Sequence, residues 1–212
     1  MIEILAHRGY WRHKAEQNTP AALRDALTCG MGIETDIRDY DEGLVIAHDI
    51  PNATSPTLEA FRSILQEEGF RGTLALNIKS DGLAPLCAKY FSPWRDQLFF
   101  FDMSVPDMRA YLNLDLPVFT RHSDVEAAPT YYHEAAGVWL DQLNGEWIAP
   151  ETIRAHLEAK KRVAIVSSEL HGRDPERLWQ IVGLFRDDAR VALCTDHVDH
   201  AREVFGIGGE SE

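Results

Sequence analysis

Short apolar runs that finish in polar residues recur along the chain, and segments with helical spacing fill the intervals between them. The runs at residues 2–7, 32–38, 73–79, 98–103, 117–121, 137–141, 163–168 and 191–195 read as strands. An additional short run, 44–48, follows the second of them closely enough to form a hairpin. Segments 19–30, 57–69, 107–112, 150–160 and 174–186 carry apolar residues at helical intervals, with matching start and stop signals. Strand-then-helix alternation of this kind predicts an α/β protein, a parallel eight-stranded (β/α)8 TIM barrel. Such barrels usually take ~250 residues and can manage with ~200, and this chain has 212. A doubly wound open sheet has the same periodicity and stands as the alternative. No Pro-, Gly- or Ser-rich linker interrupts the pattern, so one domain over 1–212 is expected.

Composition narrows the partners. Hydrophobic residues make up 45% of the chain, enough for one large core. The formal net charge of -13 argues against nucleic acid, because phosphate-backbone binding needs a basic stripe and none is visible. Cys29, Cys87 and Cys194 are scattered without ligand-like spacing, which predicts buried free thiols in a reducing compartment. The first apolar run, 2–6, is too short for a signal segment or a membrane span, so a cytoplasmic protein without a membrane span is expected. Only the tail, 208–212, reads as frayed, and oligomeric state is not legible.

The ends of the apolar runs carry the candidate chemistry. They finish in His7-Arg8, Glu34 and Asp36, Asn77 and Lys79, Asp102, Arg121, Asp141, Ser168-Glu169 and Asp196. In a barrel all of these meet at the carboxyl-terminal mouth, where barrel enzymes carry their sites. The densest stretch is 32–49. Glu34 and Asp36 are two apart on a strand whose alternate positions are Ile33, Thr35 and Ile37, so both acids face one side. Two converging acids want a cation, and the tight Asp41-Glu42-Gly43 connection returns His48 toward the same end. In His7-Arg8-Gly9 a proton carrier adjoins a phosphate-binding fork and a residue that permits a sharp turn.

His7-Arg8-Gly9, Asn18-Thr19 with Ala22 and Ala26, Gly32-Ile33-Glu34-Thr35-Asp36-Ile37, His48-Asp49, Pro56-Thr57-Leu58-Glu59-Ala60-Phe61 and Cys194-Thr195-Asp196 together resemble the glycerophosphodiester phosphodiesterase family. The likeness is dense over the first third of the chain. It implies a barrel that hydrolyses a small phosphodiester with a divalent cation, Mg2+ or Ca2+. Glu34, Asp36 and the third-strand residue Asn77 would then be metal ligands, His7 and His48 the general acid/base pair, and Arg8 and Lys79 the groups that hold phosphate oxygens. Hard carboxylate oxygens suit either cation, and two imidazoles can divide the proton traffic across phosphorus.

Three departures qualify this expectation. Asn77-Ile78-Lys79 stands where the family has Glu-x-Lys, so a neutral amide replaces the third carboxylate, with Asp102 or Asp141 as possible compensation. Gln17 replaces a common Glu, with Asn18 or Thr19 read as the cap of the helix beginning at Pro20. Only 50–55 separate His48-Asp49 from the next helix, where the family inserts a small subdomain around the glycerol moiety, so the mouth should be more open. Two alternatives follow: a phosphate- or sugar-phosphate-binding barrel with little turnover, and a phospholipase-like enzyme that releases a cyclic phosphate.

Overall fold

The computed structural model describes residues 1–207, so the tail at 208–212 lies outside it. The chain runs β1 (Glu3–His7), α1 (Pro20–Thr28), β2 (Gly32–Tyr40), β3 (Gly43–Ile46), α2 (Leu58–Glu67), β4 (Leu74–Ile78), α3 (Ala84–Phe91), β5 (Leu98–Phe101), α4 (Val105–Asn113), β6 (Phe119–His122), β7 (Gly137–Leu140), α5 (Pro150–Glu158), β8 (Arg162–Val166), α6 (Glu176–Gly183), β9 (Val191–Thr195) and α7 (Val198–Phe205). The sheet order is β5-β4-β2-β1-β9-β8-β7-β6, with every pairing on that path parallel and β3 antiparallel to β2. One parallel bridge, Phe100 to Val118, joins the two ends, with Phe100 N donating to Pro117 O at 2.8 Å. The fold is a single (β/α)8 TIM barrel whose seam lies between β5 and β6.

Strand alternation divides the apolar residues into two cores. One set faces the helices and includes Ile4, Ile33, Leu76, Phe100, Val138 and Leu193. The other fills the barrel interior with Leu5, Ala75, Phe99, Phe101, Phe119, Trp139, Ala164, Val166, Ala192 and Cys194. Its aromatic rings close the seam: Phe99 stacks on Phe119 at 3.7 Å and Phe101 on Trp139 at 4.0 Å. Gly137 makes room for this packing, since a Cβ there would lie 2.4 Å from the Phe119 ring. Continuing the interior row toward the carboxyl ends gives His7, Glu34, Asp36, Asn77, Arg121, Asp141 and Ser168. The same alternation that packs the lumen therefore delivers polar groups to the mouth.

Two elements differ from expectation. Helix α3 was not predicted, because its buried Ala84, Cys87 and Phe91 make only a short helical pattern behind Asp81-Gly82. No helix connects β6 to β7; the link is a loop pinned by the Thr120 hydroxyl, which donates to Thr130 O at 2.6 Å. Helix α4 starts at Val105 rather than 107 because Ser104 caps it, accepting from Asp107 N. Cys87 and Cys194 are buried free thiols as expected, whereas Cys29 is half-buried. Among the described residues, no helix is long and apolar enough to cross a membrane.

Candidate active site

The site grows from the ends of β1, β2 and β4. The chain turns sharply after His7, with Arg8 at φ 57 and Gly9 at φ 90. A Cβ on Gly9 would meet the Ala22 backbone at 2.7 Å, so this turn can press against α1 only with glycine. The turn directs the Arg8 backbone N–H to the Glu34 carboxylate at 3.3 Å and its side chain to Asp36.

Glu34 and Asp36 are nearly inaccessible, at 2% and 1% exposed. Asp36 is the shared counter-ion of two cations, with Arg8 Nε 3.2 Å from Oδ2 and Lys79 Nζ 3.2 Å from Oδ1. Asn18 Nδ2 donates to the same Oδ2 at 2.8 Å, while Asn18 Oδ1 accepts from the Thr35 hydroxyl. Thr19 alone caps α1. Asn18, which the sequence offered as a cap, sits in the left-handed region at φ 60 and orients Asp36 instead.

Glu34 has no such cation. His7 Nε2 is 3.8 Å away, and burial followed by repulsion from Asp36 pushes the Glu34 carboxyl up to about 7, against the pull of His7, Lys79 and Arg8. His7 Nδ1 lies 2.6 Å from Asp196 Oδ1, a contact between β1 and the end of β9. Because a carboxylate only accepts, this bond places an imidazole proton on Nδ1 and turns Nε2 toward Glu34. Asp196 is itself held by its backbone N–H, which donates to Glu169 at 3.1 Å.

The remaining predicted residues divide. Asn77, paired in register with Asp36, is 8% exposed, and its Oδ1 has no hydrogen-bond partner. Lys79 reaches Asp36 rather than open solvent. His48 stands apart: its side chain is 44% exposed and pairs with Asp49 at 2.9 Å. The hairpin nevertheless holds it on the same rim, since Ala47 N donates to the Asp36 carbonyl at 3.1 Å.

The opposite side of the mouth carries a second polar network. Arg121 lies 2.5 Å from Asp102, 3.6 Å from Asp141 and 3.6 Å from Glu126. Burial pulls the guanidinium pKa down, but Asp102, Asp141 and Glu126 outweigh that and hold it above its ordinary value. His171 Nε2 meets Asp141 at 2.7 Å. Asp102 links the two networks by accepting from Asn77 Nδ2 at 3.3 Å.

Whether a divalent cation suits this place turns on groups left without partners. Asn77 Oδ1 is buried without a partner, Asp36 Oδ1 is buried in an ion pair with Lys79 Nζ, and Glu34 is pushed toward its neutral form by burial and by Asp36. All three are hard oxygen donors. Among the described residues, no three His, Cys, Asp or Glu side chains are grouped to hold a cation by themselves. The residues fit a cation held by Glu34, Asp36 and Asn77, with less charge than three carboxylates would bring.

No family model and no curated protein matches the chain by sequence. Solved structures match it in fold. A proposed glycerophosphodiester phosphodiesterase from Galdieria sulphuraria superposes with a TM-score of 0.75 at 16% identity, covering 97% of this chain and 98% of that one. A glycerophosphodiester phosphodiesterase from Agrobacterium tumefaciens gives 0.68 at 17% identity over 92% and 96%. This chain shares its fold with these two structures. A Ca2+-dependent phosphatidylinositol-specific phospholipase C from Streptomyces antibioticus is less similar, with a TM-score of 0.54 at 12% identity over 96% of both chains. Residues 47–57 lead from β3 directly into α2, the short link that the sequence shows in place of an inserted subdomain.

Proposed function

We propose that the protein is a metal-dependent phosphodiester hydrolase acting on a small phosphodiester of the glycerophosphodiester kind. The observation that carries the reading is the buried Glu34 and Asp36 pair, ringed by His7, Arg8 and Lys79 at the carboxyl ends of parallel strands. The likeness of the whole fold to glycerophosphodiester phosphodiesterases supports it.

Arg8 and Lys79 supply two positive charges beside one carboxylate, an arrangement that an incoming phosphodiester anion can share. His7, with its proton fixed on Nδ1 by Asp196, offers a free Nε2 to take the proton of an attacking water or to return one to the leaving alkoxide. His48 serves the complementary step from the hairpin rim. The P–O bond to one alcohol breaks as the new P–O bond to water forms, one imidazole receiving the water proton and the other protonating the departing alkoxide. Mg2+ or Ca2+ held by Glu34, Asp36 and Asn77 would neutralise charge building on the phosphoryl oxygens.

The test is turnover of a panel of glycerophosphodiesters and lysophospholipids with Mg2+ or Ca2+, followed by phosphorus NMR of the product. An open phosphomonoester whose formation is lost in both His7→Ala and His48→Ala supports the reading. A cyclic phosphate moves the assignment to phospholipase-like chemistry. Binding of phosphodiesters without any turnover contradicts hydrolysis and leaves a binding barrel.

A further inference from the structure

Asn77 raises a question of orientation. Its neutral amide stands where a carboxylate would present oxygen whichever way it turned, and an amide presents oxygen on one side only. Turned the wrong way it would aim two N–H groups at a cation. Something must hold the correct side forward.

Asp102 does not belong to the interior row of β5. Phe99 and Phe101 occupy that row, so the next residue along an extended strand would point outward. Instead Asp102 takes φ 63, a left-handed conformation that L side chains rarely adopt and that Asp tolerates better than most. The bend brings the carboxylate back to the mouth, where Oδ2 accepts from Asn77 Nδ2 at 3.3 Å. Its other oxygen is 3.0 Å from Arg121 Nε, which fixes the carboxylate from the far side. A carboxylate accepts and cannot donate, so it selects the amide NH2 and turns Asn77 Oδ1 away from itself. That oxygen is buried and unpartnered.

We propose that Asp102 is a positioning residue that locks the Asn77 amide with its oxygen toward the cation site. It acts behind the ligand, not as one. The inference rests on the reading of Glu34, Asp36 and Asn77 as a divalent-cation site. Strain at Asp102 and the clamp on Arg121 are the structural means by which a neutral third donor is kept oxygen-forward.

The experiment is calorimetric titration of Ca2+ and Mg2+ into the full chain and four variants, Asp102→Ala, Asp102→Asn, Asn77→Asp and the double variant, with thermal melts to confirm folding. Asp102→Ala should weaken ion binding about tenfold or more, because the amide is free to flip. Asp102→Asn, which can still accept through its own amide oxygen, should recover most of that loss. In the Asn77→Asp background the dependence should shrink: a carboxylate has no orientation to fix, so adding Asp102→Ala should remove only the attraction of its charge and weaken binding much less than in the wild-type background. Equal weakening in both backgrounds, or no weakening in the wild-type background, overturns the inference. Failure of the wild-type chain to bind either ion overturns both the inference and the metal site beneath it, whereas binding unaffected by Asp102→Ala overturns the inference alone.

Discussion

The two sides of the barrel mouth carry similar residue types in opposite states of completion. On the side of β1, β2 and β4, Asn77 Oδ1 is buried without a partner, Asp36 is shared between the Arg8 and Lys79 cations, and Glu34 is pushed toward its neutral form by burial and by Asp36. On the side of β6, β7 and β8, Arg121 is surrounded by Asp102, Asp141 and Glu126, His171 is bonded to Asp141, and Gln142 donates to Ser168 at 2.8 Å. A buried polar group without a partner costs free energy, so a fold keeps such groups together where a ligand completes them. The difference teaches that the first side is built to receive something and the second to hold its own shape.

This contrast can be broken in several ways. The largest effect belongs to the open side: His7→Ala should lower kcat/KM by roughly 10²–10⁴, the usual weight of a general acid or base, while leaving the thermal midpoint within a few degrees. Loss of folding in place of loss of turnover would place His7 in the framework. On the closed side the outcome inverts. Arg121→Ala leaves Asp102 and Asp141 without their shared cation and should destabilise the protein by about 2 kcal/mol in urea titrations, a value discounted because Arg121 keeps some solvent contact. An unchanged midpoint would show that its ion pairs are not structural.

A related polar cluster on the closed half gives a pH signature. His156 is buried, accepts or donates within 2.9 Å of His122 and 2.8 Å of Tyr132, and burial followed by His122 pushes its pKa down to about 4. Between the ordinary value of 6.5 and that figure, the unfolded chain binds a proton that the folded chain refuses. Stability from this group is therefore full above pH 6.5 and is lost as pH falls toward 4, by an amount on the order of 2 kcal/mol. Denaturant midpoints measured across that range should fall with acidity, and His156→Gln should flatten the slope; an equal slope in the variant removes His156 as its source. The smallest effect is expected at Asp49, which is almost fully exposed beside His48. Asp49→Asn should change kcat less than about threefold, because exposed pairs contribute little.

Much of the barrel was legible because each apolar run ended in polar residues, and one parity rule served both core and mouth. Glu34 and Asp36 could be placed together from strand alternation alone, and the hairpin that carries His48 from Asp41-Glu42-Gly43. Asn18 was hidden by the stronger cap signal of Thr19-Pro20, which explained the neighbourhood without it. The partnership of His7 with Asp196 spans 189 positions and closes only when β9 pairs with β1, so no local pattern announces it. Asp102 was placed at the mouth as a strand end, but its contact with Asn77 depends on a single left-handed φ that no local pattern announces. Helix α3 escaped because its apolar repeat is brief.

The most direct measurement is hydrolysis of a small glycerophosphodiester by metal-stripped protein as Mg2+ or Ca2+ is added back, with Asp36→Asn alongside. The account predicts saturable recovery of turnover with the ion, suppression by EDTA, and no recovery in the Asp36 variant. Undiminished turnover in EDTA, or ion-stimulated turnover that survives Asp36→Asn, would contradict it.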